Sequence, residues 1–182
     1  MMKLRTIISL GITTLLLLVL LYFILENQPG KKVELRPVLW DFDMRELSRV
    51  SITLPRKNLN QSWVRNEDKQ WYFDEETPVK VDPKRWGGGV ALLLSNPAMN
   101  RLITEKASKE QLDLFGFPTA SMELRLKLVS NISINVDIGN LTPDQQSYYI
   151  KITESQEVYN IDYTWYAAFE KLVTDPPYLL NN

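Results

Sequence analysis

Apolar and polar positions divide this chain into two stretches of different character. Residues 6–25 read TIISLGITTLLLLVLLYFIL, twenty positions without a charge. At 1.5 Å per residue such a helix covers about 30 Å, the thickness of a bilayer's hydrocarbon core. After residue 37 the period changes. Val50 to Leu54 alternates apolar and polar and stops at Pro55. Gln61–Arg65 and Gln70–Phe73, joined by Asn66-Glu67-Asp68-Lys69, read as an aromatic-rich hairpin. Residues 122–128 and 132–138 alternate over their whole length, separated by Val129-Ser130-Asn131. This places Ile132, Ile134, Val136 and Ile138 together on a core face. Residues 148–152 and 158–161 continue the meander, and Arg101–Thr104 adds a short strand.

Three segments carry helix signals. Asp82-Pro83 pairs an N-cap with a proline at the first helical position, and the stretch runs to Leu94 before Ser95-Asn96-Pro97. Ser108 caps a short helix, Lys109 to Phe115, that ends at Gly116. Thr164 to Val173 closes the chain, with Trp165, Ala168, Phe169 and Leu172 on one face and Asp175-Pro176-Pro177 as the stop. The expected fold is α+β: a single N-terminal transmembrane helix, then one domain with a mainly antiparallel sheet and two or three helices. The expected divisions are a tail at 1–5, an anchor at 6–25, a linker at 26–37 and the domain at 38–182.

The apolar run exceeds the 7–15 residues of a secretory signal, and no small-residue cleavage site follows it. It reads as a retained single-pass anchor in a plasma membrane. Lys3 and Arg5 lie closer to the run than Lys31, Lys32 and Arg36 do. The positive-inside rule thus mildly favours a cytoplasmic N-terminus and an extracytoplasmic domain; the reverse orientation would put the domain in the cytosol. In the linker, Pro29-Gly30 breaks the helix as it leaves the membrane.

Charge and composition narrow the chemistry. The chain has 21 basic and 22 acidic residues. Lys3 and Arg5 are the only basic residues before the linker, which leaves the remainder at −3. That balance lacks the basic face a nucleic acid requires. Cysteine and histidine are both absent. Disulfides, thiolate nucleophiles and zinc–thiolate sites are therefore excluded, as is the commonest general base. No cofactor and no metal ion is expected.

The order of landmarks resembles a known family. Trp71 lies in an early hairpin, Val81-Asp82 opens a helix, and a short helix ends in Leu114-Phe115-Gly116-Phe117-Pro118. A hairpin then closes on Ile138-Gly139-Asn140, followed by Thr142-Pro143, Tyr148-Tyr149 and Val158-Tyr159. Over roughly residues 38–180 this resembles the family called domain of unknown function 4340. The resemblance implies a bacterial envelope domain with one N-terminal span, accessory to a membrane complex. Some members lie beside ABC-transporter components related to gliding-motility auxiliaries. The family brings no catalytic residues. One departure is Trp86-Gly87-Gly88-Gly89, where members carry ordinary helix formers.

That glycine triplet is the first candidate site. Glycines allow close approach of a backbone or an anion, but the lysine and serine or threonine of a phosphate loop do not follow. Close packing or a broken helix is the plainer reading. Asp41, Asp43 and Glu46 fall short of a calcium loop and read as a capped helix start. Glu75 and Glu76 are adjacent and belong to a turn rather than an acid/base pair. Trp63, Trp71 and Tyr72 form the candidate partner surface, since Trp and Tyr are enriched in interface hot spots. Gly11, Thr13 and Thr14 are small enough for a helix contact inside the membrane.

The leading expectation is a non-enzymatic, membrane-anchored accessory or interaction subunit of an envelope complex, linked to an ABC-type transporter. It meets the bilayer through residues 6–25 and other subunits through its domain. Two alternatives stand beside it. One is an envelope carbohydrate-binding module or carboxylate-based hydrolase. The other is a structural subunit of a large energy-transducing membrane assembly.

Overall fold

The computed structural model describes the backbone of residues 4–26, 37–87 and 89–179, and side chains at 12–23, 37–87 and 89–179. The chain divides into two units, 1–35 and 36–182. In the first, α1 spans Leu4–Glu26, 23 residues. Its described side chains, Ile12 to Phe23, are all exposed. Among the described residues no helix is long and apolar enough to cross a membrane. The remainder of the expected span lies outside the described side chains, and most of the expected linker lies outside the described residues altogether.

The second unit is an α+β domain on one eight-stranded antiparallel sheet, in the order β3-β2-β1-β5-β6-β7-β8-β4. The strands are β1 (Leu47–Leu54), β2 (Leu59–Arg65), β3 (Trp71–Phe73), β4 (Arg101–Thr104), β5 (Met122–Leu128), β6 (Ser133–Leu141), β7 (Ser147–Ile152) and β8 (Val158–Asp162). The helices are α2 (Pro83–Trp86), α3 (Gly89–Ser95), α4 (Lys109–Leu114) and α5 (Tyr163–Thr174). β3 and β4 are the two edges, so the segment carrying α2 and α3 crosses the full width of the sheet.

Period two sorts the strands into two faces. Val50 and Ile52 of β1 stand opposite Leu126 and Leu124 of β5, which pair on to Ile134 and Val136 of β6. These residues, with Trp63, Phe73, Met122, Ile138 and Ile150, form one core under α2, α3 and α5. The other face carries Arg49, Ser51, Thr53, Glu123, Arg125 and Asp137, which leaves most of it to solvent. Half-solvated antiparallel sheets carry this alternation. Only one end of that face is covered. There α4 and the chain after it bury Ala107, Phe115 and Val158, with Leu112, Phe117 and Tyr149 packed against them.

Local chemistry accounts for the helix ends. Ser108 accepts from the Gln111 amide, and the Gln111 side chain accepts from the Ser108 amide, a complete capping box for α4. Asp162 caps α5 through the Thr164 amide. Asp43 caps a single 3-10 turn, Met44–Glu46, and also binds the Arg45 guanidinium. That hydrogen bond, with the Arg45 amide and charge, lowers the Asp43 carboxyl to about 2.

Four expectations need correction. The helix expected to run from Pro83 to Leu94 is two, because Gly87 takes φ 65°, ψ 152°, closed to other residues, and stops α2 after one turn. The domain therefore has four helices among its described residues. Ile132 is 56% exposed, since it precedes the Lys127–Ser133 pair where β5 and β6 first meet. Ala168 is exposed, and Tyr166 and Val173 complete the buried face of α5 instead. Trp63 is fully buried and is no partner surface.

Candidate functional site

The hairpin aromatics fall on both sides of the sheet. Trp63 pairs with Phe73 and Arg65 with Trp71, while Val64 pairs with Tyr72. Trp71 therefore shares the core face with Trp63 and Phe73, and Tyr72 points the opposite way. Adjacent residues of a strand cannot serve one surface. Tyr72 donates through its hydroxyl to Asp68, 2.8 Å away, and that bond raises its pKa. Trp63 lies beneath the others, 5.1 Å from Trp86 and 6.2 Å from Phe73 between ring centroids.

Trp71 remains half-buried and meets Trp86, the last residue of α2, at 5.1 Å. Beside this pair is a cleft of about 220 Å³. Trp71 and Trp86 line it with Val81, Pro83, Gly87 and Ala91, and Lys69 and Gln70 also border it. It is smaller than a drug-sized pocket, so it suits one ring or one apolar side chain. The residues read separately as an aromatic hairpin and a glycine triplet thus meet at one place. Gly87 forms part of its wall, Gly89 opens α3, and Gly88 lies outside the described residues.

The walls of the cleft are tied from several directions. The Val81 amide donates to the Trp71 carbonyl at 3.0 Å. Asp82 accepts from the Lys84 and Arg85 amides, and its own amide donates to Pro177. Arg85 reaches the carbonyls of Asp175 and Pro176 and the Asp175 carboxylate. Phe73 stacks on Tyr178 at 3.9 Å. α2 is only four residues long, so these bonds, rather than helix propensity, hold Trp86 in place. Sequence reading missed Trp86, although its place beside Gly87 was the available signal.

The remaining acidic candidates separate. Glu75 accepts from the Tyr178 hydroxyl at 2.9 Å, and Glu76 is exposed in the turn. On the open face Glu123 and Asp137 are cross-strand partners, and Arg125 bridges both at 3.2 Å. Lys151 is buried beside Asp137 and donates to the carbonyls of Ile152, Thr153 and Ser155. Burial lowers its pKa, against the opposing pull of Asp137. The carboxyls that the structure shifts, Asp43, Asp68, Glu110 and Asp144, all move downward. A general acid needs the reverse. Among the described residues no group of three or more acidic side chains is placed to hold a metal ion. Thr13 and Thr14 are exposed on α1, and the Gly11 side-chain position lies outside the described residues.

Compared with models of protein families, with curated proteins and with solved structures, the chain matches none.

Proposed function

We propose that this chain is a membrane-anchored interaction domain without catalytic activity, an accessory subunit of a bacterial envelope complex. The observation that carries this reading is the cleft lined by Trp71 and Trp86. Two indoles beside a small apolar recess are what an interface hot spot is built from. A partner would seat one apolar or aromatic group there. The uncharged run 6–25, within the backbone helix Leu4–Glu26, supports anchoring in a bilayer with the N-terminus cytoplasmic. The resemblance to the domain of unknown function 4340 family makes an ABC-type transporter the first complex to examine. Gly11, Thr13 and Thr14 are the positions for a helix contact within that complex.

The test is a detergent-solubilised pulldown of the full chain from native membranes, comparing the wild type with Trp71→Ala and Tyr72→Phe. The expected result is a specific partner that Trp71→Ala loses and Tyr72→Phe keeps. A strictly solitary monomer, or a partner indifferent to Trp71, overturns the reading. A second reading is a carbohydrate-binding module, favoured by the indole walls with Gln70 and Lys69 bordering them. Quenching of tryptophan fluorescence by envelope polysaccharide fragments would support it.

A further inference from the structure

α3 reads GVALLLS, without a polar side chain before its last residue. Val90 and Leu94 enter the core, but Leu92 is 60% exposed and Leu93 is 44% exposed. With Pro97 and Ala98 they line a groove of about 490 Å³. Two adjacent exposed leucines on a wholly apolar turn are a patch that calls for a partner. The site is separate from the Trp71–Trp86 cleft.

The entry point of the chain suggests what covers it. Val38, itself 46% exposed, forms a β-bridge with Ala98. The Met99 amide donates to the Pro37 carbonyl at 2.9 Å, and the Phe42 amide to the Ser95 carbonyl at 3.1 Å. The segment arriving from residues 27–36 is therefore sewn to the end of α3. The described chain thus enters the domain beside the patch, at Pro37 and Val38. Lys31, Lys32 and Arg36 in that connector suit lipid headgroups. Asp41, held by Asn96, and Asp162 lie near the patch, so its attraction to lipid is apolar rather than electrostatic.

We infer that Leu92 and Leu93, with Val38 and Ala98, form a lipid-contact face that seats the domain on a bilayer surface. The inference rests on residues 6–25 being a membrane anchor. Partial burial of such side chains at the headgroup boundary is the mode of interfacial helices. It orients the domain, with α4, on the opposite face of the sheet, turned away from the lipid.

The absence of cysteine makes the test direct. Single variants Leu93→Cys, Leu17→Cys and Lys109→Cys of the full chain are labelled with an environment-sensitive fluorophore. Each is reconstituted in vesicles of phosphatidylcholine and phosphatidylglycerol carrying spin-labelled lipids. Quenching at position 93 is expected to be several-fold stronger than at 109, from shallow labels, and unchanged by high salt. Position 17 should respond to deep labels. Quenching at 17 but not at 93 leaves the anchor standing and overturns the lipid face. A blue-shifted but unquenched label at 93 assigns the patch to a protein and also overturns it. Loss of quenching at 17 overturns the anchor reading, and the inference with it.

Discussion

Gly139 in β6 lies directly against the backbone of Phe115: a Cβ built on Gly139 would sit 2.1 Å from the Phe115 carbonyl oxygen. The same oxygen accepts from the Asn140 amide at 2.6 Å. Asn140 also reaches back, its side-chain amide donating to the Leu114 carbonyl and its oxygen accepting from Arg56. The end of α4 is thus docked on the sheet backbone to backbone, which only glycine permits. Gly139→Ala should cost about 1–3 kcal/mol, the range for overpacking. A urea titration followed by tryptophan fluorescence would show a lower midpoint at unchanged slope. An unaltered midpoint would mean that α4 is free to lift off.

The two described members of the glycine triplet should respond in opposite directions. Gly87 has φ 65° and ψ 152°, a conformation open to almost no other residue, so Gly87→Ala should cost about 1–3 kcal/mol. Gly89 has nothing within 4 Å of its added Cβ and begins α3, so Gly89→Ala should be neutral or stabilising by up to about 1 kcal/mol. Thermal unfolding of the two variants decides the matter. The reverse ranking would place the helix break elsewhere.

Much of the domain was legible because its strands alternate. β4 and β5 coincide with the segments that the pattern marks, and α4 begins where the Ser108 cap predicts. Antiparallel neighbours joined by short turns left little freedom for β5 to β8. What the pattern hid was long-range. Nothing in residues 101–104 says that β4 crosses the sheet to pair with β8, because an edge position is set by tertiary placement. The exposure of Trp63 was misjudged for a related reason. A tryptophan in a hairpin is compatible with either face, and the layer of α2 that covers it lies about twenty residues further on. The cleft was half legible: Trp71 and the glycines were both singled out, but no local rule joins them.

Trp63 offers a test of how the core tolerates polarity. Its ring is fully buried, and its indole Nε1 has no hydrogen-bond partner. An orphan donor costs about 1–3 kcal/mol in desolvation. Trp63→Ala removes the ring that supports Trp86 and should cost about 3–5 kcal/mol. Trp63→Phe loses volume but also removes the orphan, so its cost should be well below that of the alanine variant. Chemical denaturation of both measures the difference. Equal losses would show that a phenyl ring does not restore the support that Trp63 gives Trp86.

Alkaline titration should expose the packing of α5 on β7. Tyr166 stacks on Tyr148 at 3.8 Å and donates to Glu170 at 3.1 Å. Burial raises the Tyr166 hydroxyl far above its ordinary value, with the charges of Glu170 and Tyr148 adding to the effect. Burial raises Tyr148 as well, again with Glu170 adding to it. Between the unfolded tyrosine pKa of about 10 and the raised folded value, the folded chain keeps a proton that the unfolded chain has lost. Stability that is complete below about pH 10 therefore falls as pH rises past it. Tyr166→Phe removes the larger of the two contributions and should flatten the fall, at some loss of stability near neutrality from the missing bond to Glu170. Urea midpoints collected from pH 8 to pH 11.5, as an approximate working range about that pKa, give both slopes. Parallel slopes for wild type and variant would show that Tyr166 ionises as freely as an exposed tyrosine, and that α5 does not hold its ring against Tyr148.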